Sequence, residues 1–205
     1  STSAILYPKS CSMKSTTPPQ ALNSTNSYKE AWCYIKRKVR SIPDWPIEGV
    51  IFRDITTLLL DPPAFKQICT IFYDRYVNEK IDKIVGIDAR GFLFGSVLAY
   101  KLGIGMIPIR KNGKLPYHTI SESYTLEYGE EIIEIHEDAL QKGERVVIID
   151  DLMATGGTIS AAANLVEKLG GDIFECSFVL ELPDLNGREK LGRRKVFSIV
   201  EFEGE

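Results

Sequence analysis

Four consecutive apolar residues, Val146-Val147-Ile148-Ile149, run directly into two adjacent acids, Asp150-Asp151, and then into Leu152-Met153-Ala154-Thr155-Gly156-Gly157-Thr158. A short apolar run of this kind, bounded by turn residues, reads as a strand buried on both faces, the condition of a parallel sheet covered by helices. An Ala-rich helix is expected to follow over residues 156–169, ended by Gly170-Gly171. The same alternation extends outward. Strands are expected at 83–87, 106–109, 173–180 and 196–200, with an apolar helix at 92–102 stopped by Gly103. Upstream, Trp32, Ile35 and Val39 repeat at helical spacing from residue 28, Pro43 and Pro46 break the chain, 49–57 reads as extended and 64–76 as an amphipathic helix. Strands alternating with helices give an α/β fold, a parallel twisted sheet flanked by helices. The polar stretch 111–131, with Gly113, Pro116 and Gly129, suits a mobile loop or a loose hairpin over a site.

The acids and the turn after them define a chemistry. In open α/β sheets, ligands bind beyond the carboxyl ends of the strands, where a helix start offers unpaired N–H groups and a positive dipole end to a phosphate. Gly156 and Gly157 lack a Cβ, so backbone can approach the anion, while Ala154, Thr155 and Thr158 complete the turn. Neither G-x-x-x-x-G-K-[ST] nor G-x-G-x-x-G is present, which argues against nucleoside triphosphate and dinucleotide sites. Carboxylates beside a phosphate turn suit a sugar phosphate: Asp150 and Asp151 can accept hydrogen bonds from ribose hydroxyls, and one can orient water on Mg²⁺. A plain strand–turn–helix with a capping Thr is the alternative.

Composition narrows the partners. The 205 residues carry a net charge of -3, without the basic excess of a nucleic-acid surface. No stretch approaches the ~18 apolar residues of a membrane helix. Cys11, Cys33, Cys69 and Cys176 show no metal-ligand spacing and read as free thiols of an intracellular, cytoplasmic protein. Residues 1–27 are rich in Ser and Thr and lack acids. They read as a disordered tail, with a transit peptide as the alternative, although no Arg is present.

The run 146–158 closely resembles the signature of the phosphoribosyltransferases. Four further segments resemble the adenine-specific branch of that family: 40–46 continuing through 49–55, Gly86 to Gly95, Ile109 to Pro116, and Tyr124-Thr125-Leu126-Glu127-Tyr128-Gly129. The resemblance covers roughly 28–202. It implies a type I phosphoribosyltransferase fold with a small N-terminal hood at about 28–60 and a mobile catalytic loop at about 111–131. It implies transfer of a phosphoribosyl group from phosphoribosyl pyrophosphate to adenine, giving AMP and pyrophosphate, with Mg²⁺ and in a homodimer.

Residue by residue, it places the 5′-phosphate and ribose at Asp150, Asp151, Ala154, Thr155, Gly156, Gly157 and Thr158. Asp150 and Asp151 also face the metal through water. Pyrophosphate is expected at Asp88, Ala89, Arg90, Arg110, Lys111 and Lys114, with a non-proline cis peptide after Asp88. Lys111 and Lys114 also fit solvated loop charges. Adenine is expected at Ile51, Phe52 and Arg53, by main-chain hydrogen bonds and ring packing; plain core packing is the alternative for Phe52. Glu127 is the expected acid/base, ionised at neutral pH, with Tyr128, Arg90 and Lys114 beside it in catalysis. Phe92, Leu93 and Phe94 suit a dimer contact or the core. The chain departs from the family pattern at Tyr117-His118, where Gly commonly follows the proline, which puts loop dynamics in question. Rival readings are another base as acceptor, or a regulatory module that has kept only the phosphate turn.

Overall fold

The computed structural model describes residue 11, residues 17–126 and residues 129–204. Helix α1 (Thr25–Lys38) is followed by strands β1 (Arg40–Pro43) and β2 (Ile51–Asp54), then α2 (Thr56–Leu60) and α3 (Pro62–Tyr76). Next come β3 (Lys83–Ile87), α4 (Arg90–Leu102), β4 (Gly105–Lys111), β5 (Thr119–Leu126) and β6 (Gly129–His136). The chain continues with β7 (Arg145–Met153), α5 (Gly157–Lys168), β8 (Asp172–Glu181) and β9 (Val196–Glu201). Two short 3-10 turns, Pro183–Leu185 and Gly187–Leu191, lie between β8 and β9.

Seven strands form one sheet in the order β5-β6-β4-β3-β7-β8-β9. Its β4-β3-β7-β8-β9 portion is parallel, and β6 and β5 add an antiparallel hairpin at one edge. The expected parallel sheet is therefore mostly parallel, because the polar stretch after β4 turns back on itself rather than crossing over a helix. β7 sits inside the sheet, and Val146, Val147, Ile148 and Ile149 are each 0% exposed, contributing roughly 2 kcal/mol apiece through burial. One core packs α1, α3 and α4 on one face of the sheet. A second packs α5, with Ile133 and Ile135 of β6, on the other.

The helix ends follow local chemistry. α1 begins at Thr25, earlier than the hydrophobic spacing alone indicated. Ser24 accepts from the Ser27 N–H at 3.2 Å, and Ser27 Oγ accepts from the Ser24 N–H at 3.0 Å. This capping box holds the last residues of the expected tail in the helix. α3 is capped by Asp61, which accepts from the Ala64 N–H at 3.0 Å, with prolines at its first positions. β1 and α2 were not anticipated: β1 carries no apolar alternation, and α2 is a single short turn. On α4, Phe94 is core, while Leu93 and Tyr100 are exposed.

The cysteine reading needs correction. Cys11 and Cys33 form a disulfide with Cα atoms 5.5 Å apart. Their spacing matches no motif, and only the return of the N-terminal segment onto α1 brings them together. Cys69 and Cys176 are free, with thiols pushed up by burial to about 11 and about 12. Among the described residues, no helix is long and apolar enough to cross a membrane.

Candidate active site

Parallel pairing brings the carboxyl ends of β3 and β7 side by side, so the turns that follow them open at the same edge. β3 runs through Asp88 and Ala89, joined by a cis peptide bond as expected, into α4. β7 runs through Ala154 and Thr155 into α5. Neither α4, with Ala89 at its start, nor α5, with Gly156, has a side-chain cap, whereas α1 and α3 do. The first N–H groups of a helix have no partner within it. At this edge two sets of them face outward, each with its positive dipole end. Gly156 takes φ 80°, and a Cβ there would overlap the Gly187 carbonyl oxygen. Both conditions demand glycine.

The paired acids stand beside these turns. Asp151 is 4% exposed, and Arg90 Nε donates to its Oδ2 at 2.5 Å. Asp150 Oδ1 accepts from the Asp151 N–H at 2.8 Å. Burial first, and then the neighbouring Asp151 charge, hold the Asp150 carboxyl well above the usual carboxylate range. Gly91 lets α4 close onto this strand end, since a Cβ there would stand 2.7 Å from the Ile149 carbonyl oxygen and 3.1 Å from Asp150 Oδ1. The Asp88–Gly91 turn and the acids thus form one packed unit.

The basic residues after β4 are arranged by acids of the sheet and hairpin. Arg110 Nε donates to Asp88 Oδ2 at 2.9 Å, and Arg110 Nη1 donates to the Lys114 carbonyl at 3.3 Å. Lys111 pairs with Glu131 at 2.9 Å, and the Tyr124 hydroxyl donates to the same carboxylate at 2.6 Å. These two hydrogen bonds hold Glu131 below the usual carboxylate range. Lys114 is exposed, but its N–H and that of Leu115 donate to Glu134 Oε1 at 3.2 and 3.0 Å. Glu134 is 4% exposed, and Glu134→Ala is expected to destabilise the fold by about 1–3 kcal/mol in denaturant unfolding, because two backbone donors lose their acceptor. Tyr117 is exposed, its ring edge-on to His118 at 4.7 Å.

The stretch 111–131 runs into a β5–β6 hairpin made of residues 119–126 and 129–136, which extends five residues beyond it, with Leu126 paired to Gly129. Glu127 and Tyr128 lie between them, outside the described residues. The hairpin leans on α5: Lys168 and Asn164 both donate to Glu122, and a Cβ on Gly157 would meet the Tyr124 ring at 3.3 Å.

β2 carries Ile51, Phe52 and Arg53, all half-buried. Phe52 packs edge-on against Trp45 with ring centres 4.5 Å apart. Arg53 Nη1 donates to Ser41 Oγ at 2.5 Å, and its guanidinium lies 4.4 Å from the centre of the Phe202 ring. The next residue, Asp54, accepts from the Thr56 hydroxyl and N–H and pairs with Arg40 of β1 at 3.7 Å, which holds its carboxyl below the usual range, with the Arg90 charge adding a smaller pull in the same direction.

A model of the phosphoribosyl transferase domain matches residues 55–204. The adenine phosphoribosyltransferase of Desulfosudis oleivorans is 63% identical over 171 residues, spanning 83% of this chain and 99% of that protein. The chain belongs to the adenine phosphoribosyltransferase family. The crystal structure of the Thermoanaerobacter pseudethanolicus adenine phosphoribosyltransferase matches with a TM-score of 0.80 at 48% identity, over 83% of this chain and 99% of that one. The Saccharomyces cerevisiae adenine phosphoribosyltransferase, complexed with D-2,5-dideoxy-2,5-imino-altritol 1,6-bisphosphate and adenine, matches at 0.79 and 39% identity, over 83% and 98%.

Within this phosphoribosyltransferase fold, sequence reasoning passed over Asp54, Tyr124, Glu131, Glu134 and Gly187. Asp54 and Tyr124 stood inside the resembling segments and carried a signal. The two glutamates look like ordinary strand acids until β6 pairs with β4 and β5.

Proposed function

We infer that the chain transfers the 5-phosphoribosyl group of phosphoribosyl pyrophosphate to adenine, releasing AMP and pyrophosphate, as a purine-salvage transferase. One observation carries this reading: two uncapped helix starts open at one sheet edge beside adjacent acids, Asp151 buried and Asp150 half-buried. Such an edge suits a ligand with a phosphate group at each end and a hydroxyl-bearing sugar between them.

In this reading the Ala154–Thr158 turn holds the 5′-phosphate, and Asp150 and Asp151 accept the ribose 2′- and 3′-hydroxyls. The Asp88–Arg90 turn, with Arg110, Lys111 and Lys114, receives pyrophosphate. Main-chain groups at Ile51 and Arg53 match the donor and acceptor of the adenine edge, with Phe52 near the ring. Glu127 accepts the proton lost as N9 attacks C1′, and Tyr128 packs near the base. The β5–β6 hairpin closes over the reactants and excludes water, which would otherwise hydrolyse the activated sugar.

Mg²⁺ fits the all-oxygen character of Asp150 and Asp151, which would hold it through water, and when bound it offsets charge on the leaving pyrophosphate. Among the described residues no cluster of three or more His, Cys, Asp or Glu forms a metal cage, which suits an ion whose other ligands come from substrate oxygens and water. A homodimer is proposed through α4, whose Leu93 and Tyr100 are 42% and 86% exposed. A cytoplasmic setting fits a multiply charged substrate that does not cross membranes. In that reducing compartment the Cys11–Cys33 pair would stand open as thiols.

The test follows nucleotide formation from phosphoribosyl pyrophosphate and Mg²⁺ with adenine, hypoxanthine, guanine, xanthine and orotate in turn, using the native chain and Glu127→Gln. The expected result is AMP from adenine alone, with the variant slower by about 100-fold or more. Turnover of another base in place of adenine would overturn the assignment of Ile51 to Arg53. Binding of phosphoribosyl pyrophosphate without turnover of any base would make the chain a regulatory module.

A further inference from the structure

The phosphate turn has a second wall that none of the assigned residues supplies. After β8, Leu182 donates its N–H to the Met153 carbonyl at 3.0 Å, so the departing chain stays bonded to the residue just before the turn. It then swings round through Asn186, in the left-handed region at φ 54°, and returns with Gly187 laid against the turn. A Cβ on Gly187 would stand 2.5 Å from the Ala154 carbonyl oxygen, 3.1 Å from the Gly156 nitrogen and 3.1 Å from Met153 Cγ. Gly156 and Gly187 are thus in backbone-to-backbone contact. Farther on, Ser160 of α5 donates to the Lys190 carbonyl at 3.2 Å, and Leu191 is buried in the α5 core.

One ion pair, its carboxylate buried and its guanidinium half exposed, anchors this return. Glu181, the last residue of β8, is 2% exposed. Arg188 donates to both its carboxylate oxygens, Nε to Oε1 and Nη2 to Oε2, each at 2.7 Å. The Ser198 hydroxyl donates to Oε2 at 2.5 Å. A two-point guanidinium–carboxylate contact fixes orientation as well as distance. It fixes Arg188, the residue directly after Gly187, to the strand end beside β7.

We propose that Arg188 and Glu181 are positioning residues for the 5′-phosphate: they press Gly187 against Ala154 and Gly156 and so set the aim of the turn's N–H groups. This inference rests on the functional reading above, in which that turn holds the 5′-phosphate. It predicts an effect at one end of the substrate only, because the pyrophosphate residues Asp88 to Arg90 belong to a different turn on the opposite face of the sheet.

Gly187→Ala is the cleanest variant. Gly187 lies outside the left-handed region, so alanine is permitted by the backbone and only the wall contact changes. Arg188→Ala removes the anchor, and Arg188→Lys keeps the charge while losing the two-point contact. Calorimetry with ribose 5-phosphate and, separately, with inorganic pyrophosphate is to be run beside steady-state kinetics and thermal melts. Gly187→Ala and Arg188→Ala are expected to weaken ribose 5-phosphate binding about tenfold or more, since displacement on the order of 1 Å of a positioning group is costly. The KM for phosphoribosyl pyrophosphate should rise in parallel, with kcat, the KM for adenine and pyrophosphate affinity little changed, and with partial recovery in Arg188→Lys. Unaltered ribose 5-phosphate binding by a folded Gly187→Ala overturns the inference, as does equal weakening toward pyrophosphate. Failure of the native chain to bind ribose 5-phosphate overturns the functional reading, and this inference with it.

Discussion

Gly156→Ala is expected to lower kcat/KM for phosphoribosyl pyrophosphate by about 100-fold, which is roughly 3 kcal/mol. Two separate costs contribute. At φ 80°, a side chain brings strain of about 1–2 kcal/mol. The new Cβ also overlaps the Gly187 carbonyl oxygen, so either the turn or its wall must move. Both moves displace the N–H groups at the start of α5. Gly143→Ala separates the two costs, because Gly143 has φ 87° with nothing within 4 Å of its Cβ position and lies at the amino end of β7, away from the carboxyl ends where the turns open. That variant should lose stability of a similar size to the strain alone while keeping kcat/KM. Comparable kinetic losses in both variants would show that general destabilisation, rather than the turn, governs activity.

Arg90→Ala should lower kcat by about 100- to 1000-fold, the range found when a group stabilising developing charge is removed. The accompanying loss of stability should be small. Asp151 is buried and loses its partner, which in a fully buried pair costs about 3–5 kcal/mol. The Arg90 side chain, however, is 56% exposed, so water can take its place and screening reduces the value of the pair. Arg90→Lys keeps the charge but lacks the planar fork and should recover only part of the rate. Thermal melts beside single-turnover kinetics separate the effects. A large fall in melting temperature with near-native kcat would make Arg90 a structural partner of Asp151.

The sequence exposed what depends on neighbouring residues. The apolar run of β7, the acids at its end and the glycines of the turn are contiguous, so strand, turn and helix start could be located together. The same holds for Asp88 to Gly91. What it concealed depends on contacts between distant segments. Glu134 lies in an ordinary β strand until the hairpin folds and points it at the Lys114–Leu115 backbone. Gly187 reads as a loop glycine until the chain returns from β8 and lays it on Gly156. Cys11 and Cys33 share no motif and meet only because the N-terminal segment doubles back. The start of α1 was hidden differently: Ser24 and Ser27 form a capping box, but both sit in a Ser-rich stretch whose composition suggested disorder.

The bare helix starts of α4 and α5 also decide how the site responds to solution conditions. Each brings about half a positive charge that arises from the peptide backbone. Together they supply on the order of one charge that no proton can remove, on opposite faces of the same sheet. A pH–rate profile will therefore register carboxylates and the ligand's own phosphates, while this part of the attraction stays constant across the scan. Dissolved salt is different, since mobile ions weaken a fixed dipole as readily as a charged side chain. Raising ionic strength at constant pH is thus the way to titrate the cradle itself.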